Sequence, residues 1–261
     1  MRLGIGSYSL AWNIRAGFVT HENLLDEAVR LGVQSVQYCD NLSLSELPPE
    51  DLERLCARAA AEGVVVEPGT RGVDRRELIR LAAIARSSGC GFVRIVLDRG
   101  DDRPEPNELV QALRFWRDEV PDTILAIENH DRFPARTFAE LVERLGPDRY
   151  GVCLDTANSL GCLEGTEHVV RTLAPYTVNL HVKDIRIQRV WHNMGFTVTG
   201  TSAGQGQIDI PWLIGQVQAT AESATVEVWA EQKTQEVLPV EEERRMLGES
   251  VAYLRSLGLG R

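Results

Sequence analysis

The 261-residue chain carries 28 Lys and Arg against 38 Asp and Glu, a formal net charge of −10; such a surface repels a polyanion unless a basic patch compensates, so nucleic-acid partners are not expected. With 43% hydrophobic and 25% charged residues it is neither fibrous nor disordered, and no apolar run reaches the roughly 18 residues of a membrane span. The opening MRLGIGSYSL lacks the basic stretch, long apolar core and cleavage site of a secretory signal, so a cytoplasmic protein with no membrane partner is expected, its homo-oligomeric state left open.

Short apolar runs alternate with amphipathic stretches from one end to the other. A strand expected at Leu3–Ser7 leads to a helix at Glu22–Leu31, which places Leu24, Leu25, Ala28 and Leu31 on one face. The strand Ser35–Cys39 leads to the helix Pro49–Ala61 with its Pro-Pro start, and Val64–Glu67 to Arg75–Ser87, opened by Asp74 as N-cap. Strands at Phe92–Leu97, Thr123–Glu128, Gly151–Asp155 and Val178–Val182 are followed by helices at Glu108–Glu119, Arg136–Leu145, His168–Leu173 and Pro211–Thr220. Thr225–Ala230 and Glu241–Leu257 complete eight βα units. Gly32, Gly63, Gly89 and Gly146 stand just past helix ends, where a left-handed residue is wanted.

Eight such units in this length predict an α/β fold, a (β/α)8 TIM barrel formed as a single domain over residues 1–261. A doubly wound sheet is the alternative, but the first strand runs into GSYSLAW and not into a GxGxxG turn. One connection is long: Asp184 to Gln207, with IRIQRVWHNMGFTVTGTSAGQGQ, and loops of this length inside a compact domain are usually functional. Cys39, Cys56, Cys90, Cys153 and Cys162 are odd in number without CxxC pairing, which points to packed, reduced thiols.

Reactive residues of such a barrel stand at the carboxyl ends of its strands. Those ends read Glu67, Asp98, Glu128-Asn129-His130-Asp131, Asp155-Thr156-Ala157-Asn158, His181-Val182-Lys183-Asp184, and Glu227 with Glu231. Carboxylates mixed with imidazole suit a divalent manganese, magnesium, cobalt or zinc ion. Parity adds to this, because Ala126 and Ile124 share the face of Glu128, and the small Cys153 and Gly151 that of Asp155, leaving room in the barrel interior. A lone strand-end Asp is commonly a helix cap; four such groups in register across successive strands point to a site.

The stretches IENHD, CLDTANSL, LHVKD, RVWHNMGFTVTGTSAGQGQIDIP and VEVW…ESVAYLRSL, with EPGTRG as a third strand, resemble the sugar phosphate isomerase/epimerase family of xylose isomerase-like barrels. The resemblance implies one divalent ion, manganese first, held by Glu128, Asp155, His181 and a glutamate of the eighth strand, with the first and last glutamates as acid/base pair. That last residue is Glu227, followed at +2 by Trp229 and standing 23 residues before Ser250, or else Glu231; both share one face of the expected strand, and Glu227 is preferred. Asn158 falls where such enzymes often carry a His that touches metal or substrate. Lys183, Asp184 and either Arg186 or Arg189 fall where substrate hydroxyls or a phosphate are held.

Other residues carry two readings each. His130 hydrogen-bonds near the metal or caps the fifth strand. His192, with Trp191 and Phe196, lines the substrate mouth or belongs to a loop folded on its own aromatics. Trp12 stacks on a sugar face or packs under the loop, and GTRG (Gly69–Gly72) holds a phosphate through its N–H groups and Arg71 or is a turn.

The expected activity is a metal-dependent isomerase or epimerase of a sugar, keto-sugar or related polyol, phosphorylated or not. In it Glu128 and Glu227 remove and return a proton on opposite sides of a carbon beside an enediolate. A dehydratase of keto-inositol type is the alternative. An abasic-site endonuclease-like phosphodiesterase is disfavoured by the charge and by only five histidines, and a non-catalytic scaffold would not require charged groups at the strand ends. The segment from Arg186 to Gln207, ending in GQG, is expected to cover the open face and set substrate choice.

Overall fold

The computed structural model describes residues 1–232 and 234–260. Seven parallel strands run in chain order around a barrel: β1 (Arg2–Gly6), β2 (Ser35–Tyr38), β3 (Val65–Arg71), β4 (Phe92–Val96), β5 (Ile124–Glu128), β6 (Tyr150–Asp155) and β7 (Thr177–Val182). An antiparallel hairpin follows, β8 (Asp184–Arg189) on β9 (Phe196–Thr201), as a separate two-stranded sheet. β10 (Ser223–Val226) then pairs with β7 and β1 and closes the barrel, a (β/α)8 TIM barrel in a single domain. The helices are α1 (Ala11–Arg15), α2 (His21–Leu31), α3 (Pro49–Ala61), α4 (Arg75–Ser88), α5 (Pro106–Leu113), α6 (Phe115–Glu119), α7 (Ala135–Leu145), α8 (Thr166–Leu173), α9 (Ile210–Val217) and α10 (Val240–Ser256).

Local signals act as expected at most ends. Asp74 accepts the Glu77 N–H (2.8 Å) at the start of α4, and Gly32 and Gly89 close α2 and α4 in left-handed backbone. Gly146 departs from that pattern, with φ 110° and ψ 111°. The stretch expected as one helix over Glu108–Glu119 divides into α5 and α6 at Arg114. The last barrel strand ends at Val226, four residues before the expected limit.

Strand alternation sorts the side chains. Outward positions such as Ile5, Val36, Val66, Ile95, Ile127, Leu154, Leu180 and Val226 are buried against the helices. The inward positions carry Gly4, Gly6, Ser35, Gln37, Glu67, Arg94, Ala126, Glu128, Cys153, Asp155, Asn179, His181, Ser223 and Thr225. Barrel interiors are usually filled by Val, Ile and Leu. A polar interior is costly unless its groups are hydrogen-bonded or ion-paired, and here they form a column that ends in the strand-end carboxylates.

Asp184 shows how the chain fixes its longest connection. Its carboxylate, 3% exposed, accepts the N–H groups of Ile185 (2.9 Å), Gly204 (2.9 Å), Gly206 (2.8 Å) and Ile208 (3.2 Å). A Cβ on Gly206 would collide with that carboxylate, so the GQG glycines bring backbone close to Asp184. Asp184→Asn turns one acceptor into a donor facing N–H groups and should lower the unfolding free energy by roughly 2–3 kcal/mol. Urea denaturation checks this; a loss under about 0.5 kcal/mol, the range of neutral surface changes, would contradict the structural role.

Candidate metal centre

Register brings the site together. Pairing of β6 with β7 sets Asp155 opposite His181, pairing of β5 with β6 sets Glu128 opposite Cys153, and Glu227 follows β10 with its N–H still on the Val182 carbonyl (3.1 Å). All four candidate ligands are at most 2% exposed. His181 Nδ1 lies 3.3 Å from Glu227 Oε1, 3.4 Å from Glu128 Oε2 and 3.9 Å from Asp155 Oδ2. Asp155 Oδ1 accepts the Ala157 and Asn158 N–H groups (2.8 Å each), so Oδ2 is the oxygen turned toward the imidazole.

The orientation of that imidazole follows from its other neighbour. Gln37 Nε2 donates to Glu67 Oε2 (3.2 Å) and Asn179 Oδ1 (3.1 Å), which leaves the Gln37 carbonyl facing His181 Nε2 at 2.6 Å. Nε2 therefore donates, and Nδ1 is the ring nitrogen turned toward three carboxylate oxygens. His181 Nδ1 and Glu227 Oε1 are buried without a hydrogen-bond partner among the described residues, and Asp155 Oδ2 meets the Lys183 ammonium. Such orphaned atoms cost roughly 1–3 kcal/mol each, and a cation between them removes the repulsion. Asp155, His181 and Glu227 offer ligand atoms all within 4.8 Å of one another. Three carboxylates and one imidazole fit a divalent ion.

Two cations flank the cluster. Arg94, 2% exposed in β4, donates through Nε to Glu128 Oε2 and through Nη1 to Asp40 Oδ1 (3.2 Å), while Asn158 Nδ2 donates to Glu128 Oε1 (3.0 Å). Burial pushes the Glu128 carboxyl up, but the charges of Arg94, His181 and Lys183 outweigh it and bring it down to about 2. Lys183 Nζ forms ion pairs with Asp155 Oδ2 (2.7 Å) and Glu227 Oε2 (3.0 Å). Burial lowers the Lys183 ammonium, and the carboxylates of Asp155, Glu227 and Glu128 overcome that and hold it well above the usual lysine range.

Glu231 is exposed and borders a separate cavity with Thr199 and Val237, so Glu227 alone of the two joins the cluster. The expected shared strand face does not exist, because the strand has already ended. Trp12 Nε1 on the Ala230 carbonyl (2.9 Å) ties down the residues after Glu227. A Cβ on Gly200 would collide with Trp229, so β9 also presses on them.

A cavity of about 610 Å³ opens over the cluster, in the usual range of ligand sites. Trp12, His130, Asn158, Lys183 and Glu227 line it, with Tyr8 and Trp229. His130 Nδ1 is 2.6 Å from Asp131 Oδ1, a hydrogen bond that holds the Asp131 carboxyl below the usual range and leaves Nε2 for the cavity.

Asp184, Arg189 and His192 are not brought there. Arg189 lies over the Phe196 ring (4.5 Å) and donates to the Asn193 carbonyl (2.8 Å), and His192 sits edge-on to Trp191. The cause is that residues 184–201 form a hairpin and not a loop. Val198, near its root, lines the cavity, whereas Trp191 and Phe196 are 92% and 60% exposed and do not; the expected cover is thus present only at its base. GTRG is the end of β3 running into Gly72, and its Arg71 pairs with Asp40 (3.2 Å).

Sequence reasoning missed Arg94, Gln37 and Asn179. Their signal was a polar residue alternating with apolar ones inside FVRIV, SVQY and TVNLHV, on the same face as the strand-end ligands. Glu243 was missed too: it is 1% exposed and accepts the Trp12 and Asn13 N–H groups (2.8 and 3.0 Å), setting Trp12 at the cavity wall.

A family model described as a xylose isomerase-like TIM barrel matches residues 25–257. The chain is 28% identical over 214 residues to a 3-oxo-isoapionate decarboxylase of Pectobacterium atrosepticum, covering 80% of this chain and 78% of that one. Among solved structures it resembles a D-psicose 3-epimerase with D-tagatose from Clostridium cellulolyticum (TM-score 0.72, 14% identity, 98% of each chain). It also resembles a xylose isomerase-like barrel protein from Mycobacterium smegmatis in complex with magnesium (TM-score 0.68, 13% identity, 96% and 97% of the chains).

Proposed function

The chain belongs to the xylose isomerase-like TIM barrel family, and on that premise we propose a divalent-metal-dependent enzyme that forms an enediolate on a keto-sugar or related polyhydroxy carbonyl compound. The observation that carries this reading is the convergence of the buried His181 Nδ1, Asp155 Oδ2 and Glu227 Oε1, the first and last without a hydrogen-bond partner among the described residues, with Glu128 Oε2 beside them. Glu128, Asp155, His181 and Glu227 would hold the ion, manganese first. When bound, it supplies Lewis acidity that stabilises negative charge on a substrate oxygen. Lys183 and Asn158 hold substrate oxygens, and Trp12 and Trp229 form the apolar walls that exclude water.

Proton transfer falls to Glu227 and His130. Both oxygens of Glu128 are engaged, by Arg94 and Asn158, and a carboxyl held down near 2 is a poor base at neutral pH. Glu128 is therefore assigned a holding role, and the symmetrical glutamate pair is replaced by Glu227 facing the Asp131-oriented imidazole of His130.

The same asymmetry favours a second reading, supported by the 28% identical decarboxylase. In a 3-oxo sugar acid the bond between the carboxylate carbon and its neighbour breaks, CO2 leaves, and the electron pair stays as an enediolate; one proton returned to carbon completes the reaction. That step needs a single proton donor, His130, and a cation such as Lys183 near the departing carboxylate.

Chelator-stripped protein reloaded with manganese and incubated in deuterated water with a panel of ketoses and 3-oxo sugar acids separates the two. Deuterium wash-in to a ketose supports proton exchange, and CO2 release supports decarboxylation. Neither, with manganese, magnesium or zinc bound, would overturn the proposal.

A further inference from the structure

We infer that Gln37 is a positioning residue whose amide direction, set from beneath by Glu67 and Asn179, decides which nitrogen of His181 is free to bind the ion; the inference rests on the metal-dependent reading above. The polar column inside the barrel gives each amide one orientation. Asn179 Nδ2 donates to Ser223 Oγ (2.9 Å) and Thr225 Oγ1 (3.2 Å), so its Oδ1 is the end that accepts from Gln37 Nε2 and from Cys153 Sγ (3.0 Å). Glu67, 0% exposed, offers Oε2 to the same Gln37 Nε2. With both neighbours presenting oxygens, the Gln37 NH2 must point down the barrel and its carbonyl must point up to His181 Nε2.

The consequence is specific to the imidazole. An acceptor at 2.6 Å from Nε2 holds the N–H of that nitrogen, so Nδ1, turned to the carboxylates, is the nitrogen presented to an ion. Without that acceptor nothing fixes the ring from its far side, and Nδ1, 3.3 and 3.4 Å from Glu227 Oε1 and Glu128 Oε2, loses its set position as a ligand. Gln37 does not line the cavity, and of the four candidate ligands it hydrogen-bonds His181 alone, its other partners being Glu67, Asn179 and Cys39.

The test is zinc affinity by competition with a chelator, with thermal unfolding as a check on the fold. Gln37→Met fills the same space without an acceptor and should weaken zinc binding about 10–100-fold. The double variant Gln37→Glu with Glu67→Gln exchanges amide and carboxylate: the new carboxylate accepts from His181 Nε2 and from the amide below it, Asn179 turns its NH2 to that carboxylate and its Oδ1 to the Ser223 and Thr225 hydroxyls, and affinity should return to the wild-type order of magnitude. Wild-type affinity in Gln37→Met would overturn the inference, and so would a folded double variant that binds as weakly as Gln37→Met. If Gln37→Met does not fold, the double variant decides, since a tenfold loss there means that the acceptor is not what matters. A wild-type chain that binds no zinc removes the proposed metal function as well, whereas unchanged affinity in the variants removes only the role of Gln37.

Discussion

Asp155→Asn should empty the metal site and remove turnover while the chain stays folded. The carbonyl of the new side chain keeps the cap on the Ala157 and Asn158 N–H groups. Its NH2 then replaces Oδ2, the oxygen turned toward His181 Nδ1, and a donor there cannot bind a cation. Because the group is a direct ligand, affinity should fall by more than the roughly 10–100-fold typical of an outer partner. Turnover should fall by at least about 10²–10⁴, as for loss of acid–base function. Metal analysis, steady-state kinetics and thermal unfolding on one preparation check all three; retained ion and turnover would refute the assignment of Asp155.

Arg94→Met should be the most destabilising single change in the barrel interior. It leaves Glu128 buried without its guanidinium, and breaking one side of a buried ion pair costs roughly 3–5 kcal/mol. Adding Glu128→Gln should recover much of that loss, because no uncompensated charge remains. The wild type has a matching acid dependence. Burial opposes ionisation of Glu128, yet Arg94, His181 and Lys183 depress its carboxyl to about 2, below the roughly 4.3 of an unfolded chain. The stabilisation is thus present above about 4.3 and lost as pH falls through about 2. Urea denaturation as a function of pH should show a flatter profile over that window in the double variant; an unchanged slope would assign the acid dependence to other groups.

The barrel was legible because each helix and strand announces its own period, and the strand-end list contained Glu128, Asp155, His181 and Glu227. Three features were not legible, for physical reasons. The chain beyond β10 packs Trp229 against Gly200 of a distant hairpin, which no local pattern encodes, so strand parity could not separate Glu227, the preferred residue, from Glu231. The hairpin reads as a loop because β8 and β9 are largely exposed and polar on one face, with Arg186, Gln188, Thr197 and Thr199. Arg94 and Gln37 sit in strands whose outward faces supply the apolar signal, and their partners lie 34 and 144 residues away in Glu128 and His181.

A divalent ion should occupy the point where Glu128 Oε2, Asp155 Oδ2, His181 Nδ1 and Glu227 Oε1 converge. Crystals soaked in manganese, measured at a wavelength where manganese scatters anomalously, test it directly. One peak should appear, bonded to Glu128, Asp155, His181 Nδ1 and Glu227 at about 2.0–2.3 Å, with the Lys183 ammonium displaced from Asp155. No peak there, with Lys183 still paired to Asp155 and Glu227, would contradict it.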